Sequence, residues 1–220
     1  MVEALRLSRR KAVQRPADAA AQYAAMGWPV CVGAYPPGRS PRPGESRRAC
    51  SCDRIGCPAP AAHPRSPAWQ LEASADPRVV SHWWLAQPEA NVLLATGRVF
   101  DVLDVPSAPG LAALARMQRS QVPPGPVAIG AGRALFFVAT RGAPDDETEW
   151  WSCQLDCEPE QIADVAALRW HCRNSYVLAP PSRLPGGDVM RWVRAPSGDP
   201  APDGVRLLEF LADACEESGS

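Results

Sequence analysis

The sequence holds a single lysine, Lys11, among 23 Lys and Arg residues, and its formal net charge is only −1. The scarcity of lysine beside 25 prolines points to a GC-rich coding bias more than to a function. The missing charge excess removes the plainest footprint of a nucleic-acid binder, a chain that is basic overall. No stretch approaches the ~20 apolar residues needed to cross a bilayer. Met1 to Arg10 also lacks the apolar run of a signal peptide. These absences together predict a cytoplasmic protein with no membrane partner. No internal repeat is visible. In a reducing compartment the eight cysteines read as metal ligands or buried thiols, not as disulfides.

What is present suits an ordinary globular protein: 220 residues, 46% hydrophobic and 21% charged. The charge that exists is unevenly placed. Nine Lys/Arg (Arg6, Arg9, Arg10, Lys11, Arg15, Arg39, Arg42, Arg47, Arg48) face three acids between Met1 and Arg48. Eight acids and no base lie between Asp145 and Asp164. The basic front reads either as a phosphate-contacting segment or as a solvated tail. The expected division is a basic flexible arm over 1–15, one domain over 16–215 with an insertion at about 34–68, and a short tail over 216–220.

Pro16 opens a helix that runs to Met26 and stops at Gly27. Asp76-Pro77 caps a second, with Val79, Val80, Trp83 and Trp84 on its apolar face. Ser107 begins a third, carrying Leu111, Leu114, Ala115 and Met117. The last covers 204–214, with Val205, Leu208 and Leu211 on one face. Strands are expected at 28–32, 91–95, 99–105, 127–129, 134–139, 168–171, 176–179 and 189–193. The acidic stretch 144–164 is weakly patterned. Helices mixed with a mainly antiparallel sheet give an α/β (α+β) domain.

Residues 34–67 have no hydrophobic period, so something other than a core must order them. Within them Cys50, Cys52, Cys57 and His63 fall inside fourteen residues. Thiolate and imidazole suit zinc in tetrahedral coordination. Metal binding can supply on the order of 10 kcal/mol of ordering free energy in small zinc peptides. A closed four-ligand set leaves no position for water, so the expected zinc is structural. Cys153, Cys157, His171 and Cys172 are irregularly spaced and read as buried thiols before a second metal site. Cys31 and Cys215 lie in apolar runs and are expected in the core, and His82 is expected at the surface.

Several segments, taken in order, resemble the bifunctional DNA primase/polymerase N-terminal domain family of the archaeo-eukaryotic primase superfamily, especially its actinobacterial members. They are Gly27-Trp28-Pro29-Val30, Cys50-Ser51-Cys52 through His63-Pro64, Asp76-Pro77 with Trp83-Trp84, Pro88-Glu89-Ala90-Asn91-Val92 through Ala95-Thr96-Gly97, Phe100 to Val105, and Tyr176-Val177-Leu178-Ala179-Pro180-Pro181-Ser182. The resemblance spans about residues 17 to 195. It implies an RRM-like catalytic sheet with flanking helices, a two-metal nucleotidyl-transfer site using magnesium or manganese, and a zinc-bearing loop.

The catalytic positions depart from what the resemblance implies. Active members are expected to carry two acids one residue apart on a strand, so that period-2 geometry aims both at one pair of cations. Here the strand reads Phe100-Asp101-Val102-Leu103-Asp104-Val105, and the two acids are three apart. A regular strand sends Asp101 and Asp104 to opposite faces. Val102 then stands where the first acid belongs, Ala134 where a phosphate-contacting histidine belongs, and Arg169 where a third acid belongs. Arg133 and His171 remain as candidate nucleotide or phosphate contacts.

Two bland assignments stand beside these. Asp101 and Asp104 read as a solvated side chain and a turn acid, and His171 as a hydrogen-bonded structural residue. Trp83-Trp84 and Trp150-Trp151 could stack bases, with at least one of each pair in the core.

Three functions follow. The first is a catalytically degenerate primase-polymerase-like module that binds nucleic acid or protein, with DNA, nucleotides or another protein such as a helicase as partner. The second is an active primase or polymerase using Asp101, Asp104 and another acid such as Asp145 or Asp146. The third is a zinc-containing regulatory protein with no nucleic-acid partner.

Overall fold

The computed structural model describes residues 14–38, 49–52, 54–141 and 168–219. The basic arm before Gln14, the arginines 39–48, the acidic stretch with Asp145 and Asp146, Trp150-Trp151, Cys153 and Cys157 lie outside the described residues. The ordered elements are α1 (Pro16–Ala25), β1 (Val30–Gly33), α2 (Trp69–Glu72), α3 (Pro77–Ala86), β2 (Asn91–Ala95) and β3 (Phe100–Pro106). They continue with α4 (Ser107–Arg119), β4 (Val127–Gly130), β5 (Arg133–Ala139), β6 (Arg169–His171), β7 (Tyr176–Ala179), β8 (Arg191–Arg194) and α5 (Gly204–Gly219).

The strands form two antiparallel sheets, one of three strands in the order β1-β2-β7 and one of five in the order β6-β3-β5-β4-β8. The central strand of the site, β3, is buried almost throughout and pairs with β5 without a register shift from Phe100 to Pro106. Its alternating residues therefore serve two cores. Phe100 and Val102 face a core shared with α1, α3 and the three-stranded sheet. Leu103 and Val105 face a second core made with α4 and α5.

Local chemistry explains the element ends. Pro16 sits in the first turn of α1, and Gly27, at φ +81°, turns the chain out of it. The Asp76 carboxylate accepts from the Arg78 backbone N–H at 2.8 Å and caps α3. Gly97, at φ +79°, packs so closely on the Arg173 backbone that a Cβ there has no room. The neighbouring Thr96 hydroxyl donates to the Cys172 carbonyl at 2.6 Å, which fastens the β2–β3 turn to the end of β6.

Some expectations need correction. On α5 the buried stripe is Leu207, Leu211 and Ala214, with Leu208 packed beside it, whereas Val205 is 41% exposed. Leu211 belongs to both faces, and the buried stripe turns from it towards Leu207 and Ala214, away from Val205. Cys215 is only half-buried at the edge of that core, although Cys31 is buried as expected. Trp84 is buried and donates to the Ala90 carbonyl at 3.0 Å, Trp83 is half-buried, and His82 is exposed. Among the described residues, no helix is long and apolar enough to cross a membrane.

Candidate functional site

Two chemically active clusters emerge, one in the loop after β1 and one on a face of the five-stranded sheet. In the loop, the ligand atoms of Cys50, Cys52, Cys57 and His63 all lie within 4.8 Å of one another. Thiolates around a tetrahedral zinc stand about 3.7 Å apart, given a Zn–S distance near 2.3 Å. The four residues therefore fit a soft cation such as zinc.

Their surroundings are arranged for ligation. The His63 Nδ1–H donates to the Pro64 carbonyl at 2.8 Å, which leaves the Nε2 lone pair for a metal. That Nε2 lies 3.3 Å from the Cys50 Sγ. The Ala61 backbone N–H donates to the same sulfur at 3.2 Å. The Cys52 thiol is lowered to about 6, first by the backbone N–H of Arg54, while burial pushes Cys57 up.

The metal loop is tied to the fold by backbone and by one amide. Ala34 donates to the His63 carbonyl and Arg65 to the Val32 carbonyl, so the loop extends the edge of β1. Asn91 of β2 is fully buried. Its Nδ2 donates to the Ala61 and Arg183 carbonyls at 2.8 and 2.7 Å, and its Oδ1 accepts from the Arg183 N–H at 2.9 Å. Ser182, also fully buried, bonds both the N–H and the carbonyl of Val92. Asn91 and Ser182 thus clamp the metal loop, β2 and the turn after β7 together.

Neither residue was given a role from sequence, although a polar side chain inside an apolar run was the available signal. Asn91→Ala is expected to cost roughly 2–4 kcal/mol, because buried backbone groups lose their partners. Urea midpoints measure this, and a shift under about 0.5 kcal/mol would contradict it.

The second cluster answers where the strand acids point. Asp101 and Asp104 lie on opposite faces of β3. Asp101 is 1% exposed on the α4/α5 side, where its Oδ2 accepts from the Trp170 indole N–H at 3.2 Å. Asp104 is 5% exposed and looks the other way. The expectation of a solvated acid and a turn acid fails for both, because β3 is a central strand covered on each side.

Both Asp104 oxygens are engaged. The Arg133 Nε–H donates to Oδ1 at 2.7 Å, and the His171 Nε2–H donates to Oδ2 from 3.3 Å. A second Arg133 nitrogen donates to the Asp104 carbonyl at 3.0 Å. Ser175 Oγ lies 3.0 Å from His171 Nδ1 and orients the ring. Burial alone would raise the Asp104 pKa. The hydrogen bond and charge of His171, with those of Arg133, outweigh it and hold the carboxyl below the ordinary carboxylate range.

Arg169 pairs directly across from Asp104 and is exposed, so its side chain leaves the same face. Asp104, Arg133, Arg169 and His171 therefore share one face, and Asp101 does not. Ala134 needs a new reading. It pairs with Val105 and points into the α4 side, where a Cβ built on Gly110 would sit 2.6 Å from its own Cβ. A histidine side chain has no space there. The β5 side chain that reaches Asp104 is Arg133, diagonal to its direct cross-strand partner Leu135.

Residues 20–204 match the family described as bifunctional DNA primase/polymerase, N-terminal. The chain belongs to this family. No curated protein matches it. As a primase-polymerase domain it shows the expected mixed α/β architecture with antiparallel sheets and a Cys/His cluster able to hold a metal. The quoted family segments have visible structural work in this member. Trp28 stacks on Phe137 at 5.3 Å, and Tyr23 donates to the Pro180 carbonyl at 2.6 Å, joining α1 to the end of β7.

Proposed function

We propose that this primase-polymerase domain does not perform nucleotidyl transfer and acts as a binding module in DNA metabolism, presenting the Asp104 face to phosphate. The observation that carries this reading is the double engagement of Asp104 by Arg133 and His171. A pair of divalent cations needs several carboxylates on one surface. Among the described members of this cluster there is one carboxylate against two guanidiniums and an imidazole, which favours an anion. Asp104 then serves to hold Arg133 and His171 in place, and the exposed Arg169 supplies a contact to the nucleic-acid backbone.

The metal in the Cys50–His63 loop is zinc on this reading. Four protein ligands close its coordination sphere, so its role is to order the loop. DNA or nucleotides are the favoured partners, with a protein such as a helicase as the alternative. A titration with single-stranded DNA across salt concentrations tests the proposal. Affinity is expected to fall as salt rises, and Arg169→Ala to weaken binding for all sequences and shallow the salt slope by about one. Absence of binding at low salt would leave only a protein partner.

A further inference from the structure

The five-stranded sheet ends at β8, whose outer edge meets no other strand among the described residues. Its sequence, Arg191-Trp192-Val193-Arg194, carries two arginines three positions apart, and a regular strand would send them to opposite faces. The pairing with β4 is not regular. Arg191 and Trp192 stand opposite Ile129 and Ala128, and then Arg194, not Val193, stands opposite Val127. Val193 is therefore the extra residue of a β-bulge. Directly paired residues share a face, so Arg191 and Arg194 both leave the sheet on the side of Val127 and Ile129, the α4/α5 side. Trp192 takes the other side with Ala128.

Three properties specify what such an edge would hold. It is anchored: the Trp192 indole N–H donates to the Tyr23 hydroxyl at 2.9 Å, and its ring packs on Phe137 at 5.2 Å, which pins the strand to the core. Its charge is unused: Arg191, Val193 and Arg194 are exposed, and neither arginine has an ion pair or side-chain hydrogen bond among the described residues. Finally, an edge strand offers a row of backbone donors and acceptors that an extended polypeptide matches and a nucleic acid does not. A second copy of β8 laid antiparallel would set arginine against arginine, which is unfavourable. The chain's own acidic stretch, Asp145 to Asp164, is tethered at Arg141 after β5 and at Leu168 before β6, and β6 is the opposite edge of the sheet.

We infer that β8 receives an extended acidic segment of a partner protein as a sixth strand. The bulge sets the spacing of the acids. On the inner edge the two arginines stand opposite β4 residues that are two apart. A regular strand in the matching register on the outer edge therefore meets them with acids at alternate positions, about 7 Å from each other. The expected signature is acid-x-acid. This edge is separate from the Asp104 face and from the metal loop, none of whose residues lie on β8.

The test uses the full, metal-loaded chain and short fluorescein-labelled peptides read by anisotropy. One peptide places two glutamates at alternate positions in a strand of valine and threonine. A second, of the same composition, places them side by side. The first is expected to bind about threefold or more tightly, and Arg191→Glu with Arg194→Glu to weaken it about tenfold. Methylating alternate backbone nitrogens of the first peptide should abolish binding in one parity and spare it in the other, because only one side of an added strand bonds β8. That arm needs the native chain alone, so it decides the matter even where the double variant fails to fold by circular dichroism. Equal binding of the two peptides, or binding that survives methylation in both parities, would overturn the proposal. So would single-stranded DNA binding, or a concentration-dependent dimer, that the double substitution removes while the native chain takes up no peptide. Peptide uptake seen only after Glu147→Gln with Glu149→Gln would give the edge to the chain's own acidic stretch and overturn the partner.

Discussion

Stripping the metal from Cys50, Cys52, Cys57 and His63 is expected to unfold the loop from Ala49 to about Pro67 and lower the melting temperature sharply. Among its described residues this segment contains no helix or strand, and its large apolar residue Ile55 is fully exposed. Its order rests on the four ligands, on backbone bonds to β1, and on the Asn91 amide at Ala61. Metal coordination contributes on the order of 10 kcal/mol in small zinc peptides, more than those few hydrogen bonds can replace.

The loss should also spread. Ala61 is held at φ +62°, a left-handed conformation that a non-glycine residue adopts at a cost, and it links Cys50 to Asn91. Chelation followed by limited proteolysis and thermal denaturation measures the effect, and Cys50→Ser should reproduce it. One zinc per chain by elemental analysis is expected beforehand. An unchanged melting temperature after verified metal loss would contradict the structural role.

The second large effect is at Asp104. Asp104→Ala is expected to destabilise the protein by about 3–5 kcal/mol, the usual result of removing one partner of a buried pair. Arg133 would keep a largely covered guanidinium and lose its ion pair with Asp104. Asp104→Asn should cost less, since an amide oxygen still accepts from Arg133. The pH dependence has a definite sign. The folded carboxyl titrates below its unfolded value, which lies near 3.9. Its contribution is therefore complete above about pH 4 and is lost as pH falls through the folded value. In urea denaturation the native chain should lose stability over that acid range, and Asp104→Ala should lose less. A variant as stable as the native chain at neutral pH would remove Asp104 from its proposed holding role.

Much of this was legible in the sequence because it depends on period and spacing. The odd offset between Asp101 and Asp104 fixed their opposite faces once β3 proved regular. The Cys50–His63 spacing anticipated a ligand set that the folded chain brings together. What sequence could not supply was depth and cross-strand register. Burial of both aspartates follows from the central place of β3, which no local pattern states. The parity of β5 puts Arg133, and not Ala134, on the Asp104 face, diagonal to the direct pair Asp104–Leu135, and a motif match alone does not state that face. The clamp by Asn91 and Ser182 joins segments 90 or more residues apart, beyond the reach of any short window.

The decisive measurement is synthesis of dinucleotides and extension of a primer by the full chain with magnesium or manganese. If Asp104 is held by Arg133 and His171 as an anion receptor, no product forms with either metal, while salt-dependent DNA binding persists. Product that vanishes in Asp104→Ala, in a variant still folded by circular dichroism, would mean that this carboxylate serves a reacting cation.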